Sequence, residues 1–352
     1  MRVGFTFFAV GISMLLFGSM LFMLESMEGS IIGGIKDRQS WEVEASNSPG
    51  GEEAIVDWVE ENGGQYELLI NFPVGLEDDN RVLTAYGLDN ISTVSDGESM
   101  IMVDLLEGEI PVRNSDIIQV LIDEGTSGFL EWETGDVVTI YIGNMQYDVE
   151  ISGITEGEIS RTMYIYRANL SQMVGIESTS VLIQLSGDNK SLDGLAELSV
   201  GYTQKEDAIN TFETLLEQQK KMFYAIESLG VIIAVAVLFN TLLMNLAERD
   251  KELATLRVLG APMNKLGTMM FWEHLAIGVI GGVLGAIFAY FGTVLLVSST
   301  VQWAFFFKVS PAPSAILTIA GVIIGISVAL TPFGMWRIKK MDLVDKVKDM
   351  SN

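Results

Sequence analysis

The sequence predicts an α-helical membrane protein with four transmembrane helices plus an α+β extracytoplasmic domain, on three observations. Residues 3–24, 222–245, 266–297 and 315–336 are apolar runs long enough to cross hydrocarbon. Basic residues cluster on one side of these runs: Arg2, then Arg249, Lys251, Arg257 and Lys265, then Arg337, Lys339, Lys340, Lys346 and Lys348. Between the first two runs, residues 28–217 carry strand and helix patterns and hold 37 acidic against 8 basic residues. By the positive-inside rule both termini and the loop between spans two and three are cytoplasmic, and the acidic segment lies outside.

Composition agrees with this class and excludes others. The chain has 352 residues, 49% of them hydrophobic, and a formal charge of −25, which fits neither a disordered chain nor an ordinary soluble enzyme. The acidic segment repels nucleic acid and anionic headgroups. It suits either a high-salt setting, where self-repulsion is screened, or cationic partners. The chain contains no cysteine, so disulfides and cysteine metal sites are excluded and the redox compartment cannot be read. Its single histidine, His274, cannot build a histidine metal cluster. No nucleophile and base stand at a recognisable spacing. No G-x-x-x-x-G-K-[ST] motif occurs, so the chain has no phosphate cradle of that kind.

Taken in order, residues 1–25 form the first span. The 22 residues 3–24 carry no charge and would extend about 33 Å as a helix. That run exceeds a signal-peptide core and no A-x-A-like site follows, so a retained anchor is expected. Gly4, Gly11 and Gly18 stand seven apart, a stripe that either admits another helix or faces lipid.

Residues 26–204 form the outside domain. From Trp41 to Asp89 the pattern reads strand, helix, strand, strand, with Ile55, Trp58 and Val59 on one helix face behind a Ser-Pro-Gly-Gly start. A largely β section follows from Ser99 to Arg167, including a hairpin turning near Gly143-Asn144. The segments VLIQLSGD, SLDGLAEL and SVGYT then read strand, helix, strand. Element order alone thus suggests a split βαβ pair with the β section inserted between its halves. Asn90, Asn169 and Asn189 open N-x-[ST] sequons, all inside this segment, as possible N-glycosylation sites.

Residues 205–246 read as one stalk and span helix. Ile209, Phe212, Leu216, Gln219, Phe223 and Ile226 recur at 3-4-3-4-3 spacing, a seam suited to one neighbouring helix. No proline interrupts it, so it either supports the domain or transmits displacement to the next loop. Glu227 falls near its outer end, where an interfacial carboxylate is the plain expectation. Residues 247–265 form a charged helix of about four turns from Glu248, with Leu253, Leu256 and Leu259 on an apolar face and a Gly260-Ala261-Pro262 stop. Such a helix lies on a membrane surface or docks into a partner's groove.

In span three, residues 266–298, Glu273 and His274 stand at the entry, either as a site or as residues meeting headgroups. Gly278, Gly282 and Ala286 form one small-residue ladder and Gly281, Gly285 and Ala289 another; span four, residues 313–336, carries Gly321-x-x-x-Gly325. Ladders of this kind let helix backbones meet, within one chain or between two. The outer loop, residues 299–312, contains Gln302–Phe307, whose aromatics favour the interface. Residues 337–352 are a basic tail. The methionines, 18 in all, read as adaptable packing in and around the spans.

The run Glu252-Leu253-Ala254-Thr255-Leu256-Arg257-Val258-Leu259-Gly260-Ala261, followed by Glu273 and a glycine-rich span, resembles the cytoplasmic loop of FtsX-like, MacB-type permeases of ABC systems. The resemblance is motif-specific over about forty-five residues and covers the rest of the chain in topology. It implies a type VII-like membrane subunit that is not itself an enzyme, with no cofactor of its own and with ATP and Mg on a separate cytoplasmic ATPase. It further implies a porter-like lobe with a β lobe outside, coupling through Glu252, Leu256, Arg257, Leu259 and Gly260, and a dimer with a second copy or a homologous permease in the lipid bilayer. Relatives carry a short amphipathic segment before span one and basic residues after Leu-Gly-Ala. Here Met1-Arg2 precede the span, so that segment is dispensable or trimmed, and Pro262-Met263-Asn264 precede Lys265, which puts an electrostatic contact there in doubt. The resulting expectation is a multi-pass cell-membrane protein, prokaryotic and salt-adapted, that transmits ATP-driven motion to an outside domain for export or mechanotransmission. Its rival is an anchored structural or interaction protein, or an FtsX-style regulator of envelope partners without transport. Cargo leaves no trace in the residues.

Overall fold

The structure is a computed structural model that describes residues 2–77, 79–157, 160–186, 191–300, 303, 307–310 and 312–340. The chain divides into a helical unit, Met1–Ser26 with Gln218–Thr300 and Val309–Asn352, and a β-rich unit, Met27–Glu217 with Val301–Lys308. Among the described residues, four helices are long and apolar enough to cross a membrane, at Met14–Arg38, Lys205–Glu248, Met263–Ser299 and Pro313–Lys339.

The chain opens with α1 (Arg2–Glu28), a π turn (Gly29–Gly33) and α2 (Gly34–Arg38). Strand β1 (Val43–Ser46) leads to α3 (Glu52–Glu61), whose first turn carries Glu52 and Glu53 at the positive end of the helix dipole. Ile55 and Val59 of α3 pack on Val43, Ala45, Val181 and Ile183, whereas Trp58 is half-buried and donates to the Asp193 carbonyl at 3.1 Å. Next come β2 (Gln65–Leu76) and β3 (Asp79–Leu88), then the short β4 (Ser92–Thr93), β5 (Met102–Val103) and β6 (Leu105–Gly108). Strand β7 (Ile118–Asp123), α4 (Glu124–Leu130), β8 (Val137–Ile142), β9 (Met145–Thr155), β10 (Thr162–Tyr166) and α5 (Arg167–Val174) complete the middle section. Strand β11 (Ser180–Gln184), α6 (Leu195–Leu198) and β12 (Gly201–Gln204) close the unit.

The strands join in the order β12-β1-β11-β2-β3-β10-β7-β9-β6, with β8 pairing β2 and β9. The first four are antiparallel neighbours, so β1-α3-β2 and β11-α6-β12 interleave as a split βαβ pair, with β3 to β10 inserted between them in sequence. The inserted section is not a separate sheet. Strand β2 is twelve residues long: Gln65–Leu69 pairs β11, Gly75 and Leu76 pair β8, and β3 runs beside Leu69–Leu76. The hairpin of β8 and β9 turns at Gly143-Asn144, with Ile142 opposite Met145 and Gly143 at φ +61°.

Among the described residues, two carboxylates are buried in this unit. Asp123 caps α4, accepting from Gly125 N at 2.9 Å and Thr126 N at 3.1 Å, and also accepts from Thr162 N at 2.7 Å. The Arg161 guanidinium lies 2.9 Å from it. Burial pushes the Asp123 carboxyl above its ordinary value, against the pull of Arg161 and the donors. A Cβ at Gly125 would lie 1.2 Å from Arg161 Nη1, so the guanidinium would have to leave its place beside Asp123. Glu67 is the second group: it accepts from Ser99 Oγ at 2.9 Å and Met100 N at 2.7 Å, and burial raises its carboxyl against those bonds.

The outer aromatic run is described in part. Of Gln302–Phe307, Trp303 and Phe307 are described and the other four lie outside the described residues. Trp303 belongs to the β-rich unit, donates Nε1 to the Val82 carbonyl at 3.0 Å, and lies under Arg81, whose Cζ is 4.5 Å from the ring centre.

In the helical unit, α7 (Lys205–Glu248) is unbroken over 44 residues, its first thirteen belonging to the β-rich unit. Ile209, Leu216 and Phe223 of its seam are buried, Phe212 and Ile226 half-buried, and Gln219 exposed. Glu227, expected at an open interface, is instead buried, because it lies on the same face as Phe223 and Gly230, and Gly230 abuts Phe17 of α1. Then follow α8 (Asp250–Val258), α9 (Met263–Thr300), α10 (Pro313–Ala329) and α11 (Thr331–Lys339). The fourth span, Pro313–Lys339, is interrupted for one residue at Leu330, between α10 and α11. Pro332 cannot donate the N–H that would bond the Val328 carbonyl.

Helix α9 meets its neighbours through glycines. A Cβ on Gly278 would sit 3.0 Å from Ile324 Cα, on Gly282 3.1 Å from Ala320 Cα, and on Gly285 2.8 Å from Ile323 Cδ1. Gly281 is also buried. In α1, Gly11 faces Phe288 and Gly18 faces Ala289. Gly321 and Gly325 behave otherwise: both are exposed with nothing within 4 Å of a Cβ among the described residues. Of the packing expected within one chain or between two, none is made by them among the described residues, because Ala320 and Ile324, one residue earlier, hold the face turned to α9.

Candidate functional site

The candidate site is the joint between α7 and α9. Arg249 leaves helical geometry at φ −102° and ψ +10°, and α8 begins at the next residue. The charged helix therefore has nine residues, two and a half turns rather than four. Its end is a Schellman closure: Gly260 N bonds the Arg257 carbonyl at 3.0 Å and Ala261 N the Leu256 carbonyl at 2.9 Å. Gly260 supplies the required positive φ of +85°, and Pro262 follows.

The apolar face differs from the one expected. Leu253 and Ala254 are buried, and Leu253 packs with Leu242, Leu246, Leu266, Met270 and Ile338. Leu256 is 38% exposed, Val258 57% and Leu259 78%. Leu256 stands three residues beyond Leu253, about 60° around the helix from it, whereas Arg257 at four residues returns nearer to the buried side. Leu259 is the C-cap, beyond the last helical residue. Three uncovered apolar side chains thus crowd the tip of a short charged helix.

The other expected contact residues are distributed unevenly. Glu252 is exposed, 3.3 Å from Arg249 Nε. Arg257 is half-buried and donates Nη1 to the Ile338 carbonyl of α11 at 2.7 Å, so its charge is directed at this chain rather than outward. Gly260 is exposed at the turn. Glu273 accepts from Arg249 Nη1 at 2.7 Å, and its neighbour His274 is buried. Together with Asn245, they line a small cleft floored by Leu246 and Leu253. Sequence reasoning missed Arg249. Its partner is 24 residues away, and no spacing rule reaches that far.

Of the sequons, Asn90 donates to Glu98 at 3.1 Å and Asn169 lies half-buried in α5, whereas Asn189 lies outside the described residues. No cluster of three or more metal-ligating side chains occurs among the described residues.

Residues 224–343 match the family described as FtsX-like permease C-terminal. The ABC transporter permease YtrF of Bacillus subtilis (strain 168) is 24% identical over 173 residues, 45% of this chain. The match covers 39% of YtrF, so the chain spans well under two thirds of that relative. Among solved structures, the extracellular domain of the noncanonic ABC-type transporter YknZ from Gram-positive bacteria aligns with 49% of this chain and 94% of its own, at 15% identity and a TM-score of 0.30.

Proposed function

With residues 224–343 an FtsX-like permease region, we propose that the chain is the membrane subunit of an ABC transporter-like complex, coupled through α8 to a separate cytoplasmic ATPase. The observation that carries this reading is the tip of α8. Leu256, Val258 and Leu259 are uncovered in a loop between two membrane-capable helices, with Glu252 beside them. Exposed apolar residues ringed by charge fit a protein groove better than water. Leu253 and Ala254 anchor the helix, so the tip is presented on a fixed base.

In this reading the basic residues around α8 and after α11 face the cytoplasm and the β-rich unit lies outside, as the positive-inside rule supports. ATP and Mg belong to the partner, and a working unit pairs this chain with a second copy or a homologous permease. ATP-driven closure of the ATPases displaces α8, and α7, a single helix through Glu248, carries the displacement toward the β-rich unit. The use of that motion, export or mechanotransmission, is a property of the assembled complex.

The test is copurification of the full chain with its ABC ATPase, followed by nucleotide turnover for wild type and Leu256→Asp. Loss of the ATPase or of its stimulation is expected. Unchanged binding and turnover would overturn the docking role of α8 and leave a membrane-anchored interaction protein.

A further inference from the structure

We infer that Arg249, with Glu273 and Arg257, is a positioning device that ties α8 to α9 and α11, so that α8 moves with those helices as one body. The inference rests on the coupling reading above and names the side chains that give the coupling helix its stiffness. Arg249 is the residue at which the chain leaves helical geometry between α7 and α8, where a loop of this kind would be free to swing. Its guanidinium is spread over two carboxylates on two elements: Nη1 to Glu273 of α9 at 2.7 Å and Nε to Glu252 of α8 at 3.3 Å. A planar fork can hold two acceptors in fixed directions, which an ammonium cannot. At the other end Arg257 bonds the last turn of α11 through the Ile338 carbonyl at 2.7 Å. Between these ends Leu253 sits among Leu246, Leu266, Met270 and Ile338. The nine-residue helix is therefore held at its start, middle and end, while its tip stays uncovered.

The consequence concerns which helices feel a push on α8. Backbone bonds link it to α7, as Arg249 N reaches the Asn245 carbonyl at 3.2 Å and Leu253 N the Arg249 carbonyl at 2.9 Å. The side-chain ties run instead to α9 and α11. Displacement of the tip is delivered to three helices together, and removing the Arg249 fork leaves the joint to bend.

The natural chain lacks cysteine, so two introduced thiols are the only ones present. Spin labels on Lys251→Cys in α8 and Thr268→Cys in α9 report the spread of distances between the helices in the full chain, without any ATPase. The wild-type pairing is expected to give a single narrow distribution. Arg249→Ala and Glu273→Gln should each lose that narrow peak, and the exchange Arg249→Glu with Glu273→Arg, made together with Glu252→Gln so that no two carboxylates meet, should regain it. A narrow peak that survives both single substitutions overturns the inference, as does that exchange if it fails to regain it. Because the readout needs no partner, its failure leaves the docking reading standing, and failure of copurification leaves this one standing.

Discussion

The interior of the β-rich unit and the tip of α8 use the same apolar residue types to opposite ends. Val120, Ile122, Ile140 and Val149 are fully buried in one core, and Leu121 on the other face of β7 is buried in a second. On α8, Leu253 is covered but Leu256, Val258 and Leu259 are not. The difference separates residues covered within this chain from residues it leaves open. Residues 224–343 match the FtsX-like permease C-terminal model, and under the proposed function the open tip in that region is where the separate ATPase docks.

The largest effect should come from the closed side of this comparison. Gly125→Ala would force a Cβ into Arg161 and break a buried ion pair, costing about 3–5 kcal/mol. Denaturant unfolding of the full chain in detergent checks it, and a loss below about 1 kcal/mol would mean that the site relaxes more freely than its burial implies.

The next effect compares two leucines six residues apart. Leu253→Ala should destabilise the helical unit by about 2–4 kcal/mol, as for a covered leucine. Leu259→Ala should change stability by no more than about 0.5 kcal/mol, because its side chain is already in the open. Equal losses would mean that the tip is buried in the protein's working state.

Glycines supply a third contrast. Gly282→Leu should cost about 1–3 kcal/mol by pressing on Ala320 backbone, whereas Gly321→Leu should leave the single chain unaffected. Should both impair the protein equally in a membrane, Gly321 would lie in a contact between chains.

The smallest effect is a pH dependence. Burial raises the Glu67 carboxyl above its ordinary value of 4.5, so the folded state holds the proton more tightly than the unfolded one. Its contribution to stability is therefore full below that value and falls as pH rises through the folded value. Glu67→Gln should remove this part of the slope, and unfolding curves across that window that coincide with wild type would contradict it.

Much of the fold was legible because its signals are local or periodic. The unbroken α7 seam, the Gly143-Asn144 hairpin and the Gly260 closure each follow from residues within a few positions of one another. Long-range pairing was not legible. No pattern in the sequence revealed that β2 would serve two neighbours along one edge, or that Trp303 would find the Val82 carbonyl. At the candidate site the motif located α8, but helical phase alone misassigned its face, because the cover on Leu253 comes from α7, α9 and α11 together. Arg257 was expected among the coupling contacts, and its bond to this chain was not legible because the acceptor lies 81 residues away.

One measurement bears most directly on the claim that the tip of α8 receives a cytoplasmic ATPase. In the cysteine-free chain, Leu259→Cys can be labelled with a membrane-impermeant maleimide from either side of sealed vesicles. Labelling from the cytoplasmic face alone, strongly slowed when the ATPase is bound, is the expected result. Labelling only from the opposite face, or a rate indifferent to the ATPase, would contradict the account.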